Sequence, residues 1–246
     1  MDVSSGSIRL TASDLVGHHD CHHLTMLEKA VAVGSLERPR SWSPLASILA
    51  ERGDLHEKAY VQHLVATGVD VVRVEGKGID PTAVEQTIAA MHRGSPAIVQ
   101  GALRSGRWGG RLDVLWRVET PSRLGGWSYE AIDAKLSRLT KGNTLLQLSL
   151  YSELIGDAQG VPPEKMGVVT PWSDFIPEMY RVDDFAAYYR LIKARLASAV
   201  DGIAVETYPE PNSHCELCRW RHPCDARRRS DDHLTFRSGN LEAANQ

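Results

Sequence analysis

The stretch YEAIDAKL, residues 129–136, decides the predicted fold. It is an apolar strand-like sequence in which Asp133 and Lys135 stand two residues apart, so both side chains point to the same face of a strand. A charged pair inside an apolar strand is costly unless the charges pair or bind something. The preceding apolar segment, GRLDVLWRV at residues 110–118, carries Asp113. If the two segments form a hairpin, the two aspartates converge on one point of a sheet.

Two converging carboxylates suit a hard divalent cation such as Mg²⁺ or Mn²⁺. A lysine beside them can orient a water molecule and stabilise charge on a phosphate. The combination indicates metal-dependent hydrolysis of a phosphodiester. The alternative is a salt bridge on a solvated face of the sheet, because D-x-K triplets are common.

Helical and strand-like patterns alternate on either side of these two segments. Ser43 followed by Pro44 is typical of a helix start, and the β-branched run at 69–74 is typical of a strand. The order predicts an α/β fold with one mixed central β-sheet flanked by helices. The predicted helices are 43–67, 80–94, 143–155 and 183–199, and the predicted strands are 69–74, 96–103, 110–118, 127–136, 165–170 and 177–182.

We expect one domain over residues 1–230, in which residues 205–230 form a segment rich in Pro, Cys, His and Arg. That segment lacks periodicity and needs something other than apolar burial to hold it. Residues 231–246 are expected to be a tail, truncated or disordered.

The composition is that of an ordinary globular protein, with 246 residues, 42% hydrophobic residues and a net charge of −3. No stretch has the apolar length of a membrane span, and the N-terminus lacks the pattern of a secretion signal. We therefore expect a cytoplasmic protein with no membrane contact. The small net charge leaves nucleic acid open as a partner, because local basic patches suffice to bind it.

Four cysteines in a compartment that keeps thiols reduced indicate a metal site more than disulfides. Cys21 stands alone, whereas Cys215, Cys218 and Cys224 form C-x2-C-x5-C. Short spacing of this kind lets several thiolates bind one centre. Iron–sulphur and zinc both remain open, since nearby histidines could complete a mixed zinc site. Those histidines are His22, His23, His214 and His222.

The residues around the two aspartates resemble the PD-(D/E)xK nuclease superfamily, and in particular its RecB-like branch. The resemblance covers residues 21–224. Asp113, in a G-x-x-D setting, resembles the first acidic residue of the family, and Asp133 with Lys135 resembles its (D/E)-x-K pair. By this resemblance the two aspartates and the backbone carbonyl of Ala134 hold the metal ion, and Lys135 positions the attacking water.

Two further motifs of the branch occur in the family's order. Gln147 and Tyr151 match its Q-x-x-x-Y motif and lie one helical turn apart on a shared face. RGDLHE, residues 52–57, resembles the helical motif that supplies a histidine to the metal, which assigns His56 as a ligand. Glu57 points about 100° away around the helix, and we expect it to serve structure or DNA positioning.

One distant N-terminal cysteine with a C-terminal C-x2-C-x5-C is similar to the iron–sulphur nucleases of this branch, among them the AddB-type and CRISPR-associated exonucleases. The resemblance implies a 4Fe–4S cluster held by all four cysteines. The cluster would be a structural staple that joins the N- and C-terminal regions.

The function implied by the resemblance is a Mg/Mn-dependent deoxyribonuclease. Exonuclease action on single-stranded DNA ends is expected, in DNA repair, recombination or CRISPR-type processing, with a helicase or another nucleic-acid-processing protein as a partner. The alternative is a catalytically silent DNA-binding or assembly module with a structural iron–sulphur or zinc site.

Basic residues interleaved with aromatic ones indicate a path for single-stranded DNA. Arg219, Trp220 and Arg221 lie within the cysteine-rich segment, and Arg138 follows the strand of Lys135. Trp108, in a glycine-rich turn, is a candidate wedge or stacking platform. The alternative is a charged tail and a buried tryptophan.

Overall fold

The computed structural model describes residues 1–4, 6–40, 43–203 and 206–234. The fold is α/β, with a mixed β-sheet flanked by helices, as the sequence predicts. The strands are β1 Asp2–Ser4, β2 Ser7–Thr11, β3 Val71–Arg73, β4 Ala97–Ser105, β5 Trp108–Val118, β6 Ser128–Ala134, β7 Lys165–Val169 and β8 Glu178–Arg181. The helices are α1 Ala12–Asp20, α2 His22–Ala32, α3 Pro44–Ala66, α4 Pro81–Arg93, α5 Gly142–Gln159, α6 Asp183–Asp201 and α7 Arg221–Ser230, with a 3₁₀ turn at Ser213–Glu216.

Local sequence signals account for the predicted helices. Ser43 caps α3 by accepting a 3.4 Å hydrogen bond from the backbone N–H of Ala46. Asp80 caps α4 in the same way, through a 2.9 Å bond from the N–H of Ala83. Gly94 ends α4 with a φ of 72°, a left-handed conformation that suits glycine at this position. The predicted helices and strands are all present, with ends shifted by a few residues.

The prediction that the first helix begins at residue 43 is wrong. The chain forms β1, β2, α1 and α2 before that point. Thr11 and Asp14 make a reciprocal capping box at the start of α1, and the Cys21 thiol accepts a 3.4 Å hydrogen bond from the N–H of Leu24 at the start of α2. The sequences of these two helices are rich in polar residues and histidine, so an apolar face is not evident in them.

The C-terminal segment is also more regular than its composition indicates. It contains the 3₁₀ turn and α7, although we predicted no regular element there. Of the predicted tail, residues 231–234 are described and residues 235–246 lie outside the described residues.

The sheet brings the two central segments of the sequence together. β4, β5 and β6 are consecutive antiparallel neighbours, β3 lies parallel to β4, and β7 lies parallel to β6. β8 closes the far edge, antiparallel to β7. β2 joins the start of β5 and carries β1 on its outer side.

Helices cover both faces of this sheet. On one face, α3 contributes Tyr60 and Leu64 to a cluster with Val99, Val114 and Ile132 of the strands. On the other face, the larger cluster includes side chains of α1, α4, α5 and α6. The ends of β5 and β6 therefore lie between two packed layers, where side-chain positions are well defined.

No helix in the described ranges is both long enough and apolar enough to cross a membrane.

Candidate active site

The two predicted aspartates lie next to each other where the pairing of β5 and β6 ends. Val114 pairs with Ile132, so Asp113 and Asp133 occupy the next positions of the same antiparallel register. The backbone N–H of Ala134 donates a 2.9 Å hydrogen bond to Oδ2 of Asp113. The side chain of Asp113 thus takes the place of a backbone acceptor and is fixed against β6.

Lys135 pairs with the buried aspartate. Its Nζ lies 2.7 Å from Oδ2 of Asp133, whose side chain is 1% exposed. The two atoms form an ion pair without the geometry of a hydrogen bond, and Oδ2 of Asp133 is buried with no hydrogen-bond donor. The predicted triplet of Asp113, Asp133 and Lys135 is therefore together in space.

The triplet holds two carboxylates whose negative charges repel each other. Burial, and then the charge of Asp113, raise the pKa of Asp133 far above its usual range, although Lys135 opposes both. Burial disfavours the charge of Lys135, but Asp133 and Asp113 together raise the pKa of the lysine, which stays protonated. Two adjacent carboxylates and one ammonium leave a site that an added cation would stabilise.

Helix α5 presents the predicted glutamine and tyrosine to the same point. Nε2 of Gln147 lies 2.9 Å from the Tyr151 hydroxyl and 3.4 Å from Oδ1 of Asp133. Burial raises the pKa of Tyr151, so its hydroxyl keeps its proton. A Cβ at Gly110 would lie 2.5 Å from Cε1 of Tyr151, so a glycine is needed on β5 for the ring to approach the sheet.

His56 is buried on α3 and contacts the neighbouring strand instead of an aspartate. Its Nε2 lies 3.1 Å from the carbonyl oxygen of Val169, at the end of β7. That carbonyl also accepts a 2.9 Å bond from the N–H of Lys135. If Nε2 carries the proton, Nδ1 keeps a free lone pair, the arrangement that metal-binding histidines usually adopt.

Glu57 is close enough to Asp113 for the two charges to interact. Burial, and then the charge of Asp113, raise the pKa of Glu57. The charge of Glu57 also helps to raise the pKa of Lys135. Glu57 is therefore a third carboxylate within electrostatic reach of the triplet.

Sequence reasoning missed Gln100, which holds Glu57 in place. Nε2 of Gln100 donates a 2.6 Å hydrogen bond to Oε1 of Glu57, and its Oε1 accepts a 2.8 Å bond from Nε of Arg111. Arg111 in turn donates to the carbonyl oxygens of Val74 and Gly78 at 3.0 Å.

Gln100 also interrupts the ladder between β4 and β5, directly across from Asp113. Val99 pairs with Val114 and Gly101 pairs with Leu112, so position 100 lies across from position 113. Its φ is 57°, in the left-handed region that non-glycine residues rarely adopt. Such strain is characteristic of functional sites, but no feature of a glutamine in a sequence signals it.

The residues of this site fit a hard divalent cation by the chemistry of their donors. Among the described residues, no group of three or more His, Cys, Asp or Glu side chains is arranged to hold a metal ion. Mg²⁺, however, usually keeps several waters and needs only one or two carboxylates from the protein. The buried Oδ2 of Asp133, with no regular hydrogen bond, is an oxygen donor of this kind.

The four cysteines lie at one place, between the N-terminal helices and the C-terminal segment. All four are free thiols, and all four line one cavity. They do not form a closely packed ligand cluster in the described residues. Burial raises the pKa of Cys224 to about 11, and the nearby thiols add to this effect.

Asp20, next to Cys21, connects this region to the helix of Gln147. Nδ2 of Asn143, in the first turn of α5, donates to both carboxylate oxygens of Asp20 at 2.9 and 3.0 Å. Nδ1 of His214 lies 3.3 Å from Oδ2 of Asp20. Asp20 therefore links the cysteine region to α5 through its contacts with His214 and Asn143.

The predicted DNA-binding residues are divided between surface and interior. Trp108 and Trp220 are 9% and 3% exposed, so neither ring is open to a base; for Trp108 this matches the alternative of a buried tryptophan. Nζ of Lys193 lies 4.8 Å from the Trp108 ring centroid, and the indole N–H of Trp220 donates to Glu28 at 2.9 Å. These two indoles serve packing and do not form a stacking surface.

The three predicted arginines remain outside the core. Nε of Arg221, which lines the cysteine cavity, lies 3.6 Å from Oδ2 of Asp225, and Arg219 is half-buried at a second cavity next to Cys218. Arg138 is exposed, and its guanidinium lies 5.3 Å from the ring centroid of Trp172. Trp172 is 59% exposed, and the sequence analysis did not name it as a DNA-binding candidate.

Comparison with known proteins adds little to this description. No protein-family model matches the chain, and no curated protein is significantly similar in sequence. A solved structure, the crystal structure of SSO0001, aligns with a TM-score of 0.39 at 18% identity, over 91% of this chain and 89% of the other. A similarity of this size carries no functional conclusion.

Proposed function

We propose that the protein is a metal-dependent deoxyribonuclease that hydrolyses phosphodiester bonds, as an exonuclease on single-stranded DNA ends. The proposal rests on one observation: Asp113, in the middle of β5, meets Asp133 and Lys135, at the end of β6, beside Gln147. A lone salt bridge would not need two adjacent carboxylates, one of them fully buried, because the second carboxylate only adds repulsion.

Asp113 and Asp133, with the carbonyl oxygen of Ala134, would hold Mg²⁺ or Mn²⁺. Donation from Nε2 to Val169 leaves Nδ1 of His56 for the same ion, and Glu57 supplies a further carboxylate nearby. When bound, the metal ion lowers the pKa of water and stabilises charge on the phosphate.

The other residues of the site orient the reactants. Lys135 is held by Asp133 and remains charged, so it can hold a water molecule and neutralise a phosphate oxygen. Gln147 is fixed by the Tyr151 hydroxyl and orients the carboxylate of Asp133. Tyr151 keeps its proton and therefore takes no part as a base.

A cleft beside Glu57 offers a path for a negatively charged strand. It is lined by four cationic side chains and by three acidic ones, of which Glu57 belongs to the site just described. Cations that follow a groove to a catalytic centre are typical of proteins that bind phosphate backbones. The four cations are Lys58, Arg73, Lys77 and Arg111.

The four cysteines are proposed to hold a 4Fe–4S cluster that joins α1 and α2 to the C-terminal segment. Support comes from four free thiols around one cavity, with no disulfide among them. Visible absorbance and iron analysis of anaerobically purified protein test this assignment. A colourless protein that binds stoichiometric zinc would exclude it.

The decisive experiment is digestion of end-labelled single- and double-stranded DNA and RNA with Mg²⁺, Mn²⁺ or no metal. We expect metal-dependent shortening of single-stranded DNA from an end, and loss of at least about 100-fold in rate for Lys135→Ala. Lys165→Ala is the matched control, because Lys165 is an exposed lysine at the opposite end of the sheet. DNA binding without cleavage by the wild-type protein would favour the silent binding module instead.

A further inference from the structure

An exposed tryptophan stands on the turn that follows β7, close to the catalytic strand end. The N–H of Lys135 donates a 2.9 Å bond to the carbonyl oxygen of Val169, which joins the chain leaving β6 to the chain leaving β7. Since these two strands are parallel, both exits are at the same edge of the sheet. Trp172 is three residues beyond Val169 and is 59% exposed.

The turn that carries Trp172 is rigidly held. Oγ of Ser173 donates to the carbonyl oxygen of Thr170 at 3.0 Å, and the N–H of Ile176 donates to the carbonyl oxygen of Ser173 at 2.8 Å. Asp174 and Phe175 have φ values of 49° and 60°, which are costly for residues other than glycine and persist only where the surroundings impose them.

Phe175 anchors the turn to α3. Its ring stacks on those of His63 and Tyr60, with centroid distances of 4.9 and 6.1 Å, and lies 6.1 Å from the ring of His56. The exposed indole of Trp172 therefore belongs to a turn that is fixed on both sides. An exposed indole on a fixed turn presents a flat ring on which an unpaired base can stack.

Arg138 gives this surface a positive charge. Its guanidinium lies 5.3 Å from the centroid of the Trp172 ring. Among the ion pairs in the part of the chain that the structure describes, none involves Arg138 or Lys141. The charge of these two cations is thus available to an anionic ligand.

We propose that Trp172 and Arg138 form a base-stacking subsite for single-stranded nucleic acid, at the mouth of the site of Asp133 and Lys135. The indole stacks on an unpaired base, and the guanidinium contacts the adjacent phosphate. Bases of a duplex are already stacked on each other, so the subsite selects single strands. Delivery of the strand for cleavage rests on the proposed nuclease function, whereas binding does not.

The test measures binding of a fluorescent oligothymidylate by anisotropy, without divalent metal and with a chelator present. Trp172→Ala is expected to weaken binding of the single strand about tenfold, and binding of a duplex of the same length much less. Trp172→Phe should restore most of the affinity, because a phenyl ring also stacks. Arg138→Ala should weaken binding and reduce its dependence on salt.

Ile176→Ala is the matched control, since Ile176 is a 71% exposed apolar residue of the same turn. It should bind single strands as the parent does. Equal losses in Ile176→Ala and Trp172→Ala would overturn the proposal, because the affinity would then not depend on the aromatic ring. Unchanged affinity in Trp172→Ala, or an equal loss for duplex and single strand, would also overturn it.

Lys135→Ala separates this proposal from the nuclease proposal. This variant should lose cleavage and keep the preference for single strands over a duplex, whereas Trp172→Ala should raise KM for single strands and leave kcat nearly unchanged. If the wild-type protein cleaves nothing, the nuclease proposal fails, while the binding comparison still decides the role of Trp172.

Discussion

The backbone N–H of Ala134 donates a hydrogen bond to the side chain of Asp113, across a distance of 2.9 Å. A carboxylate thereby replaces a carbonyl group as the last acceptor between β5 and β6. The position of Asp113 is set by the sheet itself, and not only by packing of its own side chain. Its neighbour Asp133 is fixed in turn by burial and by Lys135.

Asp113→Asn tests the charge of this residue apart from its hydrogen bond. The asparagine Oδ1 can still accept from Ala134, so we expect a folded protein whose melting temperature is not lowered. Cleavage of end-labelled DNA should fall about 100-fold or more. Asp157→Asn, at an exposed acid near the other end of α5, is the matched control. A folded Asp113→Asn variant with the parental rate would refute the proposed metal site.

Gln100 is expected to act through Glu57. Gln100→Ala removes the hydrogen bonds to Glu57 and Arg111 and keeps an unfavourable φ, so metal-dependent activity should fall about 10-fold and stability should fall as well. Gln100→Gly removes the same bonds but tolerates a φ of 57°. The two variants should therefore lose activity alike and differ in melting temperature. Titration of cleavage against Mn²⁺ and thermal unfolding give the two readouts, and full activity in both variants would contradict this role.

Gln147 and Tyr151 should differ in their effect on cleavage. Tyr151→Phe removes one hydrogen-bond partner of Gln147 and leaves the contact between Gln147 and Asp133, so we expect a loss of only a few-fold. Gln147→Ala removes both contacts and should cost about 10-fold or more. Single-turnover rates at saturating metal make the comparison, and the reverse order of effects would show that the tyrosine contacts the substrate itself.

Glu130 should make stability depend on pH. Burial raises the pKa of Glu130. The backbone N–H of Lys165 donates a 3.0 Å hydrogen bond to its Oε1, which lowers the pKa by less than burial raises it. A carboxyl whose pKa is raised on folding stabilises the folded state in acid, and this contribution is lost as the pH rises through the folded-state pKa. Glu130→Gln keeps the acceptor and removes the charge. It should melt at a higher temperature than the parent at neutral pH, and the difference should vanish in acid.

Loss of a single cysteine should loosen both ends of the chain. If the four thiols hold one cluster, Cys21→Ser should lose iron and become unstable to the same extent as Cys224→Ser. A loss of about 3 kcal/mol would lower the melting temperature by roughly 6–12 °C. Retention of iron in the Cys21→Ser protein would restrict the site to the C-terminal cysteines.

Much of the fold was predictable because the sheet is built from apolar runs bounded by glycine-rich turns. The sequence indicated that Asp113 and Asp133 would converge if their two strands formed a hairpin, and β5 and β6 do pair in this way. α1 was not predicted, although Thr11 and Asp14 form a capping box from which its start could have been predicted. α2 begins at a cysteine, which is not a usual helix cap.

The residues that surround the candidate site could not be predicted from the sequence. Gln100 owes its role to a left-handed backbone conformation that no glutamine signals in a sequence. The burial of Trp108 and Trp220 and the exposure of Trp172 depend on how distant segments pack, which composition does not specify.

The C-terminal segment reaches the N-terminal helices through contacts that span nearly the whole chain. Asn212 bonds to Asp20, and Trp220 bonds to Glu28, each across 192 positions. Closing so long a loop is slow and gains nothing until the intervening sheet has formed. Docking of this segment should therefore be a late step of folding. A nascent chain would form β5 and β6, and with them the pair of Asp113 and Asp133, before Cys21 comes near the three C-terminal cysteines.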